Sequence, residues 1–322
     1  MLIGWASWSV AVIVFSALVA GFTSAHAAGP APSGVSTAQG GAVVGIVEGS
    51  AVLIRQSTRF RLVEGVRLAG DDIVEAAPAS HVQIEFSDGV MLSLADGARV
   101  MLQPRWAQRR GPAPAPRVYV LEGWVKLSVA PPGPADSATL WLSAAPSLAT
   151  TPGAKAERPA TVVLRLAAPD YAFFVESGSF RLSDRLDGQR NSTPAVNLSA
   201  NDFFSRQGST KPQQAQRPSG EFVAAMPPLF RDALPARAGK FADRAVLPKP
   251  LGDVGYIDVS GWLRGEPGLR ASLVERWRGR AGDPAFTAAL RANLALHPEW
   301  ELVVFPERAA DRAAARASQA TR

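Results

Sequence analysis

Residues 60–103, FRLVEGVRLAGDDIVEAAPASHVQIEFSDGVMLSLADGARVMLQ, decide the fold class of this chain. Apolar and polar residues alternate through the stretch, and in His81–Phe86 every second side chain is apolar, which is the period of a half-buried strand. Asp88-Gly89 and Asp96-Gly97 interrupt the alternation, and a glycine after aspartate supplies the positive φ of a tight hairpin turn. Several short strands at near-regular spacing predict a compact all-β unit.

The same strand pattern continues on both sides, so we predict a β domain over residues 42–208. Residues 119–124 and 173–180 echo each other, since both contain a strand, an acidic residue, a glycine corner and a second strand. This weak internal repetition is compatible with stacked rungs of β-structure.

Composition changes after residue 208. Residues 209–252 are polar and rich in proline, and they are predicted to form a linker, part of which lies against a surface. Residues 253–306 are predicted to form a helical module, in which Glu266-Pro267 and Asp283-Pro284 mark helix starts. Residues 307–322 are rich in alanine and arginine without an apolar stripe, which predicts a disordered tail.

The N-terminal segment predicts export. Residues 2–25 carry no charge, and the segment ends in Ala25-His26-Ala27, a small-x-small site for signal peptidase. We therefore predict a signal peptide over residues 1–27 and a flexible tether over residues 28–41. Because no lysine or arginine precedes the apolar run, an uncleaved inner-membrane anchor is the alternative. In both cases we expect the remainder to be periplasmic.

The amino-acid composition excludes several kinds of catalytic and metal-binding site. The 322-residue chain has a formal net charge of +6 and no cysteine, which excludes disulfides, thiolate catalysis and cysteine-ligated zinc. The basic excess suits an anionic partner, but biased genomic composition is the favoured explanation. No compact basic run is interleaved with aromatic residues, so we predict no nucleic-acid binding.

No catalytic motif is present, and we predict no enzyme activity, no metal and no cofactor. His81 is placed on the polar face of a strand, and His297 at the start of a helix as its cap. Paired carboxylates are the one route to hydrolysis that the sequence leaves open. The candidates are Asp71, Asp72, Asp88 and Asp96. All lie at glycine-flanked corners, where aspartate is favoured because its side chain bonds nearby backbone.

Two groups of aromatic residues could contact a partner. Trp106 lies in a proline-rich stretch with three arginines. A solvated loop is the default interpretation, and if the chain contacts an anionic partner, we predict the contact there. The predicted contact residues are Arg105, Trp106, Arg109 and Arg110. In the helical module, a second cluster would form either the core of that module or a surface that stacks on a sugar or a partner helix. Its members are Trp262, Trp277, Phe286 and Trp300.

Residues 42–129 resemble the FecR domain of exported bacterial proteins. The resemblance rests on LVEGVRLAGDDI at residues 62–73, Asp88-Gly89, and Leu121-Glu122-Gly123-Trp124. One departure is that Ala69 alone separates Leu68 from Gly70, where the family has two residues. The resemblance implies a β-solenoid-like or rolled β fold and a non-catalytic role.

In the best-known FecR proteins the domain relays the state of an outer-membrane receptor to a cytoplasmic sigma factor. We do not expect that role here, because no cytoplasmic anti-sigma segment is recognised before the apolar run. The sequence therefore favours an exported, non-enzymatic FecR-like protein that binds another envelope protein in signalling or scaffolding. The alternative is binding of peptidoglycan or another anionic glycan, and a carboxylate-based hydrolase is a third hypothesis.

Overall fold

The computed structural model describes residues 41–104, 117–130, 138–143, 147–150, 159–183 and 195–308. Within these ranges the protein is mainly β, with short helices toward the C-terminus, which confirms the predicted class. The strands are β1 (Ala42–Glu48), β2 (Ala51–Arg55), β3 (Thr58–Arg61), β4 (Arg67–Leu68), β5 (Ile73–Ala76), β6 (His81–Phe86), β7 (Val90–Leu102), β8 (Arg117–Val129), β9 (Thr139–Leu142), β10 (Ser147–Thr150), β11 (Ala160–Ala167), β12 (Asp170–Ser177), β13 (Ser179–Ser183), β14 (Val196–Ser199), β15 (Phe203–Arg206), β16 (Gln213–Ala215) and β17 (Lys249–Asp253).

Helices occupy the chain after residue 219. The α-helices are α1 (Gly220–Ala225), α2 (Tyr256–Leu263), α3 (Pro267–Trp277), α4 (Pro284–Ala292) and α5 (Glu301–Val304). Short 3-10 segments lie at Pro228–Phe230, Ala238–Phe241, Arg278–Gly282, Leu294–Leu296 and Pro298–Trp300. No helix in the described part of the chain is long and apolar enough to cross a membrane.

The long strands β7 and β8 form the centre of the sheet. The first part of β7 pairs with β6 and its last part with β5, while β8 pairs with β9 at its start and β11 at its end. From β11 the ladder continues through β12 and β15 to β16. All the strand pairings named here are antiparallel except β8 with β9, and the described pairings show no solenoid.

The predicted corners have different outcomes. Gly89 has φ +81° and the Asp88 carboxylate accepts from the Val90 amide, so the β6–β7 hairpin turn is confirmed. Asp96-Gly97 is not a hairpin turn: β7 runs through it with a register shift against β8. Gly123 has φ +96°, and a Cβ there would lie 2.3 Å from the Ala98 Cα, so only glycine fits.

One side of β6 differs from its prediction. Its polar residues, expected to face solvent, are buried, with Gln83 1% and Glu85 5% exposed. They are covered by residues 219–246, a segment of the predicted linker that we call the strap. Glu85 accepts hydrogen bonds from the strap amides of Arg237 at 2.7 Å and Ala238 at 2.9 Å. β6 is therefore buried on both faces.

Apolar side chains hold the rest of the strap. Phe222 packs against Trp124 and Phe203, with ring centroids 5.0 and 5.1 Å apart, and Phe230 is fully buried. Lys126 on β8 donates to the Phe230 carbonyl. The strap thus belongs to the folded body rather than acting as a loose tether.

The C-terminal helices share a core with the sheet. The tryptophan cluster predicted for the helical module is fully buried, which confirms the core interpretation over an exposed stacking surface. That core also includes Ile54, Ile73, Met101 and Tyr119 from the strands. Arg276 on α3 donates to the backbone carbonyls of Ile54, Gln56 and Asp71, so this helix is anchored to the strand corners by hydrogen bonds as well.

Candidate functional site

The residues predicted to contact an anionic partner cannot be placed. Arg105, Trp106, Arg109 and Arg110 lie outside the described residues. The same is true of the predicted signal peptide at residues 1–27 and most of the predicted tail. These interpretations stay predictions from sequence.

The candidate carboxylates are dispersed along the sheet. Asp88 lies at one end of the β6–β7 hairpin, and eight residues of extended chain, on the order of 25 Å, separate it from Asp96. Asp71 and Asp72 lie beside Leu102, a further six residues along β7. Glycoside hydrolysis needs carboxyl groups about 5–10 Å apart, so neither Asp88 nor Asp96 can pair with another of the four across these separations.

Three of these aspartates accept hydrogen bonds from backbone amides, two of them from amides within three residues. Asp72 accepts from the Ala69 amide at 2.8 Å and forms a two-pronged ion pair with Arg55 at 3.0 and 2.6 Å. Asp96 accepts from the Ala79 amide at 3.1 Å, and Asp88 holds its own turn. These contacts agree with the structural role that the glycine-flanked corners predict.

Neither described histidine is positioned as a base. His81 is buried edge-on against Phe230, and burial lowers its pKa, an effect that Glu48 partly opposes. His297 is the N-cap residue of the 3-10 segment Pro298–Trp300, as predicted, but its side chain makes no cap hydrogen bond: its ring is buried and its Nε2 lies 3.2 Å from the Tyr256 hydroxyl. Burial lowers the pKa of His297 as well. No group of three or more metal-ligating side chains comes together within the described ranges.

An exposed apolar edge is the first surface that could bind a partner. All five residues of β17 are exposed, and among the described strands it pairs only with β3. Leu251 lies at a β-bulge in this strand and is 46% exposed, and Leu247, two residues before the strand, is 85% exposed. Ile257, in the first turn of α2 after the strand, is 80% exposed. Three large apolar side chains thus face solvent within eleven consecutive residues.

A polar groove is the second such surface. It has a volume of about 630 Å³ and lies between β11, β12, β15, β16 and the start of α1. Three arginines from separate segments line it: Arg165, Arg206 and Arg217. The acidic residues that line it are Asp170 and Glu221, so the lining carries one net positive charge.

Aromatic rings orient two of these arginines. The Arg165 guanidinium lies 5.7 Å from the centre of the Trp124 ring, and that of Arg206 lies 4.8 Å from the centre of the Tyr171 ring. Arg206 also donates to the Pro169 carbonyl at 3.0 Å. Stacking on a ring holds a guanidinium plane while leaving its N–H edges able to bind a carboxylate.

Neither surface was predicted from the sequence. The groove arginines are spread over 53 residues and meet only because β11 pairs with β12 and β12 with β15, with Tyr171 directly opposite Arg206. No local sequence pattern indicates that these three arginines come together in the fold. For the β17 edge a signal was present, since leucines at 247 and 251 flank Pro248 and Pro250 in a segment with little other apolar content.

Comparison with known proteins gives limited information. No protein-family model matches the chain, and no curated protein sequence matches it. Two crystal structures of a candidate anti-sigma factor from Parabacteroides distasonis, at 2.50 and 1.65 Å resolution, are similar over 47% of this chain, with 12% identity and a TM-score of 0.35. The chain spans 62% and 63% of those two chains, less than two thirds of their length. Similarity at this level carries no argument about function.

Proposed function

We propose that this protein is an exported, non-enzymatic, FecR-like module that binds another protein of the bacterial envelope in signalling or scaffolding. The sequence resemblance over residues 42–129 supports the family assignment and the rolled or solenoid-like β fold that the family implies. The dispersed carboxylates support a binding role over the hydrolase hypothesis, because the candidate aspartates along β7 lie too far apart to form a site with two catalytic carboxylates. A periplasmic address rests on the N-terminal sequence.

The exposed apolar edge around β17 carries the proposal. Complete burial of a leucine or isoleucine side chain contributes roughly 1.5–3 kcal/mol, so Leu247, Leu251 and Ile257 together offer a sizeable binding energy to a partner with a complementary surface. Such clusters of exposed large apolar residues mark protein contacts more often than polar-ligand sites.

The geometry favours docking of side chains over extension of the sheet. Pro250 lacks an amide hydrogen, and the bulge between Pro250 and Gly252 breaks the regular ladder, so a long partner strand cannot pair along this edge. A partner with apolar pockets for the two leucines and the isoleucine would bury these side chains without needing to pair with the strand. This excludes an isolated soluble sugar as the ligand of this edge.

The proposal is tested by site-specific photo-crosslinking. A photoreactive amino acid at Ile257 in the full chain, expressed in its native host, should crosslink one defined envelope protein. The purified partner should then bind the wild-type chain and lose about tenfold or more in affinity for the triple variant Leu247→Ser, Leu251→Ser, Ile257→Ser. The matched control is Leu302→Ser, which changes a leucine that is 42% exposed on α5.

Two outcomes would refute the docking role: no defined protein crosslinks at Ile257, or the partner binds the triple variant as tightly as the wild type. Export is tested separately by fusing residues 1–41 to a reporter that is active only outside the cytoplasm. A mature N-terminus at Ala28 would show signal-peptide cleavage, and an uncut product would show the membrane anchor.

A further inference from the structure

The groove between β11, β12, β15 and β16 differs in chemistry from the β17 edge. Its lining combines arginine guanidinium groups with side-chain amides and hydroxyls, and the aromatic side chains at its base are buried. We propose that this groove binds a carboxylate-bearing polysaccharide, with Arg165 and Arg217 binding the carboxylates. This inference is independent of the proposed protein-binding function.

The charges of the groove select an anion. Arg165 and Arg217 have no carboxylate within ion-pair distance among the described residues, and both side chains are exposed. The Asp170 carboxylate is already engaged, since it accepts from the Gly208 amide at 2.6 Å. A carboxylate can bind a guanidinium through two parallel hydrogen bonds, and the exposed Arg165 guanidinium, 5.7 Å from the centre of the Trp124 ring, can accept such a partner.

The remaining polar groups suit sugar hydroxyls. Gln207, Gln213 and Gln214 each offer an amide that both donates and accepts, and Ser205 and Thr210 add hydroxyls. A sugar hydroxyl also donates and accepts, so these side chains can satisfy it in either direction. A volume of about 630 Å³ lies within the range of small-molecule sites, which suits a short glycan segment.

An acidic peptide fits the groove less well. Tyr171, Phe203 and Phe222 are 3–7% exposed, so the floor has no open apolar pocket for a peptide side chain. Strand addition is limited too, because β16 is three residues long and Pro212 and Pro218 flank it closely. The groove therefore lacks both means by which extended peptides usually gain affinity.

The test measures the affinity of the full chain for an oligogalacturonate, the acidic glycan, by titration calorimetry at about 0.15 M salt. We expect binding by the wild type, and a loss of about tenfold or more, near 1.4 kcal/mol, for Arg165→Gln with Arg217→Gln. The control pair, Arg244→Gln with Arg278→Gln, removes the same charge from exposed positions outside the groove and should bind within about twofold of the wild type.

Comparison ligands decide between the sources of negative charge. The methyl-esterified oligogalacturonate should bind at least about tenfold more weakly than the acid. Polyglutamate of equal charge should also bind more weakly than the acid, as should a single-stranded oligonucleotide. Equal binding of polyglutamate or of the oligonucleotide would overturn the glycan assignment. So would equal losses in the groove and control variants, or no binding of the acid by a folded wild type, as judged by its circular dichroism.

Discussion

The contact between Gly45 and Glu85 gives a direct test of how the strap is held. Gly45 on β1 faces the Glu85 carboxylate across the β1–β6 pair, and a Cβ at residue 45 would lie 2.1 Å from Glu85 Oε1. Gly45→Ala therefore has to displace the carboxylate that binds the strap amides. Glu85→Ala removes the same carboxylate outright, so the two substitutions should act through one shared set of hydrogen bonds.

The magnitudes follow from those bonds. Glu85 accepts from the amides of Arg237 and Ala238 and from Gln83 Nε2, and hydrogen bonds to charged groups contribute about 1.5–3 kcal/mol each when intact. Because the removed charge is itself buried, relief of its desolvation offsets part of the loss, and we expect Glu85→Ala to cost about 2–4 kcal/mol. Gly45→Ala should cost about 1–3 kcal/mol, because its methyl group displaces the Glu85 carboxylate, while the lower entropy of the unfolded alanine chain offsets part of that loss.

The double variant gives the decisive measurement. With Glu85 shortened to alanine, the methyl group at residue 45 no longer meets a carboxylate, so the double variant should be no less stable than Glu85→Ala alone. The coupling energy from urea denaturation of the four proteins should then reach about 1 kcal/mol or more. Hydrogen exchange at the Arg237 and Ala238 amides should accelerate in both single variants. Glu122→Ala is the control, because Glu122 is half-exposed and its ion pair with Arg99 should contribute about 1 kcal/mol or less.

Additive losses, within about 0.5 kcal/mol, would refute the reasoning, since independent sites add in this way. Unchanged exchange at residues 237 and 238 in Glu85→Ala would refute it separately. In that case the aromatic contacts of the strap, and not the carboxylate, would hold it on the sheet.

Two further predictions concern the helices and the buried histidines. Arg276→Lys keeps the charge, but a lysine cannot donate to three carbonyls at once. It should therefore lower the free energy of unfolding, measured by urea denaturation, by about 1–3 kcal/mol. The control, Arg278→Lys at an exposed position, should change this free energy little. Burial lowers the pKa of His81 and of His297, so the unfolded chain binds protons that the folded chain does not, and stability should fall as pH drops through about 6.5. His81→Gln should flatten this dependence, and an unchanged pH profile of the melting temperature would contradict the assignment to His81.

Local chemistry made much of the fold predictable from sequence. The β6–β7 turn depends on Asp88-Gly89 alone, and the Asp283 cap depends on its own carboxylate, which accepts from the amides of Ala285 and Phe286. Features of this kind are decided within a few residues, so the sequence contains them directly. Asp96-Gly97 was misassigned because the same dipeptide serves both a hairpin turn and a bulge within a bent strand, and the long-range pairing of β7 with β8 selects between them.

The strap was predicted only as a linker that partly lies against a surface, and the extent of its burial was not predicted. Its composition indicates a linker, yet Phe222, Met226 and Phe230 recur every four residues and are all buried. Two consecutive prolines interrupt this short apolar stretch, so it predicts no long helix or strand, and the surface that buries it is assembled from β7, β8, β11 and β15, which are distant in the sequence. The prediction that Gln83 and Glu85 face solvent was wrong for the same reason. Alternation of apolar and polar residues does not distinguish a strand face exposed to water from one covered by polar backbone.

The strap also constrains where a partner can bind. The outer face of β6, which alternation alone would predict to be the exposed side of the sheet, is covered by the chain's own residues 219–246, and the buried Glu85 carboxylate binds that segment. A partner that needed this face would have to displace both the Glu85 hydrogen bonds and the buried Phe230, at a cost of several kcal/mol. The β17 edge and the arginine groove need no such displacement, since their contacting side chains are already exposed. Recognition at these two surfaces is therefore compatible with an intact strap. A partner of the β17 edge should bind Glu85→Ala and the wild type alike, whereas the groove, which the start of the strap helps to line, should be sensitive to that substitution.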